Sequence, residues 1–239
     1  MRFAGRPKLG QMKNSGKAAK AARRMLLWTF LALVAMVAMG VLATFIGPLF
    51  AIISGTLFFL WVPFALFTLY FFRDPSPKVP LGGGLVVSPG HGKVDVIDTV
   101  NEPRFMEGEC QRVSIFLSVF DVHVQNAPVS GRIAYFKYTE GKFLNAMKTE
   151  SAVHNENILI GIESSDPAYA KVGLRLITGL IARRLVPWVA EGDVVERGER
   201  ISLIQFGSRA DVYLPLSAKI RCKLGDKVKG GETVLATFE

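Results

Sequence analysis

Cysteine and histidine are scarce in this chain of 239 residues, with two of the first and three of the second. Cys110 and Cys222 have neither metal-ligand spacing nor the density of a disulfide framework, so a reducing compartment suits the main domain. His91, His123 and His154 are too dispersed to form a local ligand set, and no metal site is expected. No glycine-rich phosphate loop or dinucleotide fingerprint follows a strand-like run. Acidic residues are missing from 1–24, and charge of either sign is missing from 25–72. These absences leave few groups with which to do chemistry.

The net charge of +9 suggests a nucleic-acid partner, but its distribution argues otherwise. Arg2, Arg6, Lys8, Lys13, Lys17, Lys20, Arg23 and Arg24 crowd into the first 24 residues, and the remainder carries 21 basic against 20 acidic residues. A basic tail directly before apolar sequence suits anionic lipid headgroups. No nucleic-acid partner is expected. The apolar run 25–46 is long enough to cross a bilayer, which takes ~20 residues. Gly47-Pro48 follows, and a second run, 49–72, is interrupted only by Pro63, which a membrane helix tolerates. The pattern predicts a helical membrane hairpin over 25–72. Both of its ends face the cytoplasm, on the side of the basic tail 1–24.

From Arg73 the composition changes. Pro75, Pro77, Pro80 and Gly82-Gly83-Gly84 mark a linker that disfavours helix. Beyond it the text of 73–239 is mainly strand-like, with alternation at Lys93-Val94-Asp95-Val96-Ile97 and apolar runs at 113–120 and 158–162. The stretch 170–186 reads as a strand pair or a short helix. One repeat is visible: Gly192-Asp193-Val194-Val195-Glu196-Arg197-Gly198-Glu199-Arg200-Ile201 matches Gly225-Asp226-Lys227-Val228-Lys229-Gly230-Gly231-Glu232-Thr233-Val234. Such a segment forms a tight hairpin between strands. Its two copies are similar to the hairpins of biotinyl/lipoyl carrier domains and predict a flattened β-sandwich or barrel with pseudo-twofold halves. No lysine stands at a hairpin tip in the context that a carrier role needs.

Between the two copies lies Gln205-Phe206-Gly207-Ser208-Arg209-Ala210-Asp211-Val212-Tyr213-Leu214-Pro215. A Gly-Ser step alone is an ordinary turn or bulge. Taken with Phe206, Arg209 and Val212-Tyr213-Leu214-Pro215, however, the stretch resembles the self-cleavage site of the phosphatidylserine decarboxylases in their short, membrane-anchored form. The resemblance extends from about Phe72 to Glu239 and implies autocatalytic scission between Gly207 and Ser208. The products are the chains 1–207 and 208–239, which stay associated, and Ser208 becomes an N-terminal pyruvoyl group.

Other segments carry further expectations. In Asp121-Val122-His123 an extended backbone would put both polar side chains on one face, with the carboxylate orienting the ring. The same block looks like the family's histidine motif, which makes His123 the expected proton donor or acceptor in turnover. The longer forms of the family carry a second histidine three positions on, where this chain has Asn126. Ser88-Pro89-Gly90-His91-Gly92 is similar to the family's Ser-Pro-Ala-Asp-Gly block, with His91 in place of the aspartate. A neutral imidazole can take a hydroxyl proton, so His91 is the candidate base for activating Ser208. His154, in Val153-His154-Asn155-Glu156-Asn157, matches no catalytic pattern, and that stretch reads as a polar loop.

The expected function is therefore a pyruvoyl-dependent lyase that converts phosphatidylserine in the bilayer to phosphatidylethanolamine. It would sit at the inner membrane with its β-rich domain in the cytoplasm, and a homodimer is compatible with it. Three alternatives stand beside this reading. They are decarboxylation of another, ether-linked serine phospholipid, a non-catalytic membrane-anchored sandwich acting as scaffold, and a transporter accessory with a lipoyl-like domain, which the missing coiled-coil hairpin disfavours.

Overall fold

A computed structural model describes residues 14–44, 47–141, 155–179, 184–205 and 208–238. The chain divides into two compact units, Gly16–Asp74 and a second formed by Met1–Ser15 with Pro75–Glu239.

The first unit is a pair of helices, α1 (Lys17–Thr44) and α2 (Pro48–Phe71). The helix α1 begins inside the basic tail, so Lys17, Lys20, Arg23 and Arg24 share one helix with the apolar run that follows them. Pro48 opens α2 at a position where a missing N–H costs nothing. The helices touch through Phe30 and Trp61, with ring centroids 5.4 Å apart, and through Trp61 Nε1 donating to Thr29 Oγ1 at 3.3 Å. Many of their other apolar side chains point outward, Trp28 being 64% and Phe59 76% exposed, while Leu33 and Phe71 are buried. Water would not favour such a surface, and hydrocarbon would. Both helices are long and apolar enough to cross a membrane, which suggests membrane association.

The second unit is mainly β. Its strands are β1 (Leu85–Val87), β2 (Gly92–Glu102), β3 (Gly108–Leu117), β4 (Val124–Asn126), β5 (Gly131–Thr139), β6 (Asn157–Ser165) and β7 (Ala168–Thr178). They continue as β8 (Arg184–Pro187), β9 (Val194–Val195), β10 (Arg200–Gln205), β11 (Ser208–Leu214), β12 (Lys219–Ile220), β13 (Lys227–Val228) and β14 (Val234–Thr237). The ambiguous 170–186 is thus strand at 170–178 and 184–186, with no helix among its described residues. An eight-stranded sheet, curled toward a half-barrel, runs β13-β2-β3-β11-β7-β6-β5-β9; two three-stranded sheets run β1-β14-β12 and β4-β10-β8. The described strand pairs are all antiparallel. Alternate residues of the large sheet, among them Ile115, Leu117, Ile160, Leu174, Leu176, Ala210 and Val212, form one apolar core with Val86, Ile201, Ile204 and Leu235 of the small sheets. Side chains of period two facing a common interior make this a sandwich.

The strand orders reveal a pseudo-twofold relation centred between β11 and β7. The series β13, β2, β3, β11 reads from one edge as β9, β5, β6, β7 reads from the other, and β1-β14-β12 corresponds to β4-β10-β8. The two hairpin repeats hold both edges: Val228 pairs with Gly92, and Val195 with Gly131. Equivalent bonds recur, with Gly225 N–H on Val94 O and Gly192 N–H on Ile133 O, both 2.8 Å. One half, β4 to β10, is contiguous. It is inserted between β3 and β11 of the other. Among the described strands the chain passes between halves at only two places, 118–123 and 206–207.

The proline-rich linker lies against the sandwich from Pro75 onward. Lys78 N–H bonds Glu232 at 3.0 Å, and Arg197 donates to the carbonyls of Pro80, Gly82 and Leu85 at 2.9, 2.9 and 3.2 Å. Val79 and Pro77 rest on Gly198 and Gly231, the positive-φ glycines of the two repeats, so close that a β-carbon at either glycine would collide.

Gly131 makes the tightest of these approaches, since a β-carbon there would lie 2.1 Å from the Glu163 carbonyl oxygen across the β5–β6 pair. Gly131→Ala should therefore cost ~2 kcal/mol or more, seen as a fall of several degrees in the thermal midpoint. Gly108→Ala, with open space around it, should stay within ~0.5 kcal/mol of the parent. Equal midpoints for the two variants would refute the close approach.

Candidate active site

Ser208 is the first residue of β11, held between β3 and β7 by pairing with Leu117 and Thr178. It is fully buried, and its Oγ makes no hydrogen bond among the described residues. A buried hydroxyl without a partner loses its hydration for nothing in return, and functional sites are where such costs are tolerated. Phe206 and Gly207, and with them the expected scissile carbonyl, lie outside the described residues, as does His154.

The crossover 118–123 carries His123. Ser118 and Asp121 close a turn: Asp121 N–H donates to Ser118 O at 3.0 Å, while the Asp121 carboxylate accepts from the Ser118 N–H and Oγ, both at 2.8 Å. The backbone is therefore not extended here. The Asp121 backbone carbonyl, 2.8 Å from Nδ1 of His123, orients the ring in place of the expected carboxylate. A carbonyl only accepts, so Nδ1 carries the proton and Nε2 is the nitrogen that can exchange one. The ring is fully buried. The His123 carbonyl takes the Ile204 N–H at 3.0 Å, which fixes the residue beside β10 as that strand runs toward Ser208.

His91 occupies a turn between β1 and β2 that Ser88 closes by donating Oγ to the Gly90 carbonyl at 2.6 Å. The turn bonds β4 through Asn126 N–H to Pro89 O at 2.7 Å. It also lies against β3, since a β-carbon on Gly90 would stand 3.3 Å from Leu117 Cδ2. Leu117 in turn pairs with Ser208. The C-terminal end of β3 thus gathers the His91 turn, Ser208 and the 118–123 crossover into one region. Sequence reading missed Gln125, a buried residue between the two histidine segments; its Nε2 donates to His123 O at 3.2 Å, and its Oε1 faces Gly90. Nothing in its strand context distinguishes it from an ordinary glutamine.

Asn126 works as a brace. Its Nδ2 donates to the Gly198 carbonyl at 2.8 Å, and its Oδ1 lies against Gly230, so it ties the two hairpin repeats together. The expected polar loop at Asn155-Glu156-Asn157 is also a brace. These residues are buried; Asn155 Nδ2 donates to Thr178 O at 2.7 Å, and Thr178 N–H and Oγ1 donate to Glu156 O. Thr178 is the residue paired with Ser208.

The reverse face of β11 is charged and still buried. Arg209 and Asp211 are 2% and 1% exposed. Arg209 pairs with Asp95, and Arg112 forms a two-pronged pair with Asp98 at 2.9 and 2.6 Å. Burial raises the Asp211 carboxyl above its ordinary range, with Ser114, Arg209, Arg112 and Arg175 pulling the other way. Burial likewise raises Asp95 against the opposing pull of Arg209. The thiols are poor nucleophiles, with burial pushing Cys110 up to about 11 and Cys222 also upward.

A family model described as phosphatidylserine decarboxylase matches residues 64–236. The chain is 42% identical over 177 residues to a protein of Desulfotalea psychrophila, covering 74% of this chain and 82% of that one. It is 42% identical over 209 residues to one of Symbiobacterium thermophilum, covering 87% and 92%, and 44% identical over 173 residues to one of Syntrophus aciditrophicus, covering 72% and 80%. All three relatives bear the name phosphatidylserine decarboxylase proenzyme.

The role of Asn126 as a brace has a measurable signature. Asn126→Ala should destabilise by ~1–3 kcal/mol by leaving the Gly198 carbonyl unsatisfied. Asn126→Asp should cost more, because it sets a carboxylate against that carbonyl. Denaturant midpoints rank the two, and an Asp variant as stable as the parent would refute the assignment.

Proposed function

As the chain belongs to the phosphatidylserine decarboxylase family, we propose that it matures by attack of Ser208 Oγ on the Gly207 carbonyl and then acts on phosphatidylserine at the membrane. Family membership makes it a carbon–carbon lyase with phosphatidylethanolamine as product. The observation that carries the maturation step is the buried Ser208 hydroxyl, without a hydrogen-bond partner among the described residues, at the head of a central strand. Attack forms an ester at Oγ; removal of the Ser208 Cα proton then expels Gly207 as a carboxylate. The dehydrated residue left at 208 takes up water and releases ammonia, giving the pyruvoyl group. The unpartnered hydroxyl fits a position whose side chain is consumed in this way.

The pyruvoyl group supplies a carbonyl that condenses with the substrate amine and accepts electrons as CO2 leaves. The residues of the chain do the rest. Main-chain bonds from β3 and β7 hold position 208 in place. His123, its Nδ1 proton committed to the Asp121 carbonyl, exchanges a proton through Nε2 and returns it to the carbon that lost CO2. Burial at this end of the sheet excludes the water that would compete for that carbon. His91 is the candidate base for the Ser208 hydroxyl, supported by its turn's contact with Leu117. Asn126, already engaged as a brace, needs no catalytic role, which removes one ground for the scaffold alternative.

Chains 1–207 and 208–239 remain joined because β11 to β14 complete sheets begun by the larger piece. Domain boundaries follow as a tail over 1–24, a membrane hairpin over 25–72 and a catalytic domain over 73–239. The basic tail and the apolar helices favour the inner membrane, with the catalytic domain on its cytoplasmic side. Tethering suits a substrate whose acyl chains stay in the bilayer, since it replaces a bulk search by a local one.

Intact mass of the purified chain should show a 208–239 fragment with a blocked N-terminus, and Ser208→Ala should abolish it. An unbroken parent chain would sink the proposal. His123→Ala should yield a cleaved protein with decarboxylation reduced by about a hundredfold or more; full turnover would refute its proton transfer. His91→Ala should stop cleavage while His91→Asp retains it, and normal processing of the Ala variant would remove His91 from the scheme.

A further inference from the structure

The ion pair on the reverse face of β11 sits one residue from the reacting position, and its geometry is peculiar to that half of the fold. Both β2–β3 and β5–β6 carry a register shift at the same place, after Val94 and after Ile133. The extra residue is Asp95 in one half and Ala134 in the other. A bulge re-aims the side chain it carries. Only in the first half does it aim a carboxylate, across β3, at an arginine of β11. The pseudo-twofold mate of Arg209 is Lys171, which makes an exposed pair with Glu107 at 2.8 Å instead. The shared bulge belongs to the fold; the pair with a buried arginine accompanies Ser208 alone.

We propose that Asp95 and Arg209 form a clamp that positions residue 208 for turnover after scission. The proposal rests on the maturation scheme above. Before scission, residue 208 is fixed by chain on both sides. Afterwards it is a chain terminus, and strand termini fray. Arg209, 2% exposed and with Nε and Nη1 donating no hydrogen bond among the described residues, has its ion pair with Asp95. Without that carboxylate the buried guanidinium loses its ion pair and keeps only the attraction of the Asp211 carboxyl, and it relaxes by drawing residue 209 toward water. Residue 208 follows, because it is the next residue on the same strand. Asp95 and the Arg209 side chain lie on the face opposite Ser208, so they act on the position of the reacting carbonyl and leave substrate binding alone. They are positioning residues.

The clamp predicts that scission and turnover separate. In the full-length chain in phosphatidylserine-containing detergent micelles, Asp95→Asn should still produce the 208–239 fragment. Its kcat should fall by about tenfold or more, because displacement of a reacting group by ~1 Å costs on the order of a hundredfold. KM should stay within about twofold of the parent, since the clamp does not touch the substrate. Asp95→Glu should recover most of the lost kcat. Asp98→Asn, which unpairs Arg112 on the same face, should leave kcat within about twofold, as expected for a pair remote from residue 208. A parent-like kcat in Asp95→Asn, loss of its fragment, or an equal fall in Asp98→Asn would each overturn the clamp. Should Asp95→Asn fail to accumulate as folded protein, Arg209→Lys tests the same geometry, and parent-like kcat there overturns the proposal. A parent chain without the fragment overturns the maturation scheme instead.

Discussion

The pairing of β11 between β3 and β7 is the constraint on which the rest of this molecule depends. Its seven residues are all buried, so neither face of the strand is available to solvent. One face contributes Ala210, Val212 and Leu214 to the apolar core. The other carries Arg209 and Asp211 into a charged layer with Arg112, Asp95 and Asp98. A strand buried on both sides and bonded along both edges cannot slip by one residue without putting its charged set into the apolar core and its apolar set into the charged layer. The position of Ser208 is therefore set by the whole sheet rather than by its neighbours in sequence.

The supporting residues divide by what they hold. Asn126 joins the hairpin repeats, Asn155 and Glu156 hold Thr178, and Gln125 lies between the His91 turn and the His123 carbonyl. All are neutral or backbone-directed contacts inside the protein, where a satisfied polar network favours a single arrangement. The linker adds an outer layer, crossing the two repeat glycines Gly198 and Gly231. Its prolines, which forbid helix, suit an extended strap whose hydrogen bonds come from Arg197.

Much of this was legible in the sequence because it was written in patterns of fixed period. The charge-free run 25–72, interrupted at Gly47-Pro48, became two apolar helices, and the ten-residue repeat became the edges of a pseudo-symmetric sheet. Features that depend on one inserted residue or one backbone atom stayed hidden. The spacing of Asp121 and His123 suggested an extended segment with a carboxylate on the ring; a turn closed by that carboxylate puts the backbone carbonyl there instead. Asp95 read as one position of an alternating strand, and only the bulge turns it toward Arg209. Asn126 looked like a lost catalytic histidine because spacing cannot tell a base from a brace.

The nesting of one half inside the other bears on how the mature protein would withstand unfolding. The chain enters the inserted half after Leu117 and comes back from it at Ser208, and those two residues lie opposite each other in the ladder. An uncut chain that opens can close again by itself, since the ends of the insertion are linked through one polypeptide. Once severed at that return point, the same sheet is a complex of two chains: the larger keeps the inserted half, β4 to β10, entire, and the other half is divided between them. Reassembly then depends on concentration, which falls with dilution, while dissociation does not. Maturation of this kind exchanges reversible folding for persistence governed by the rate of opening alone. The long pairing of β11 with two neighbours, buried on both faces, is what would keep that rate low.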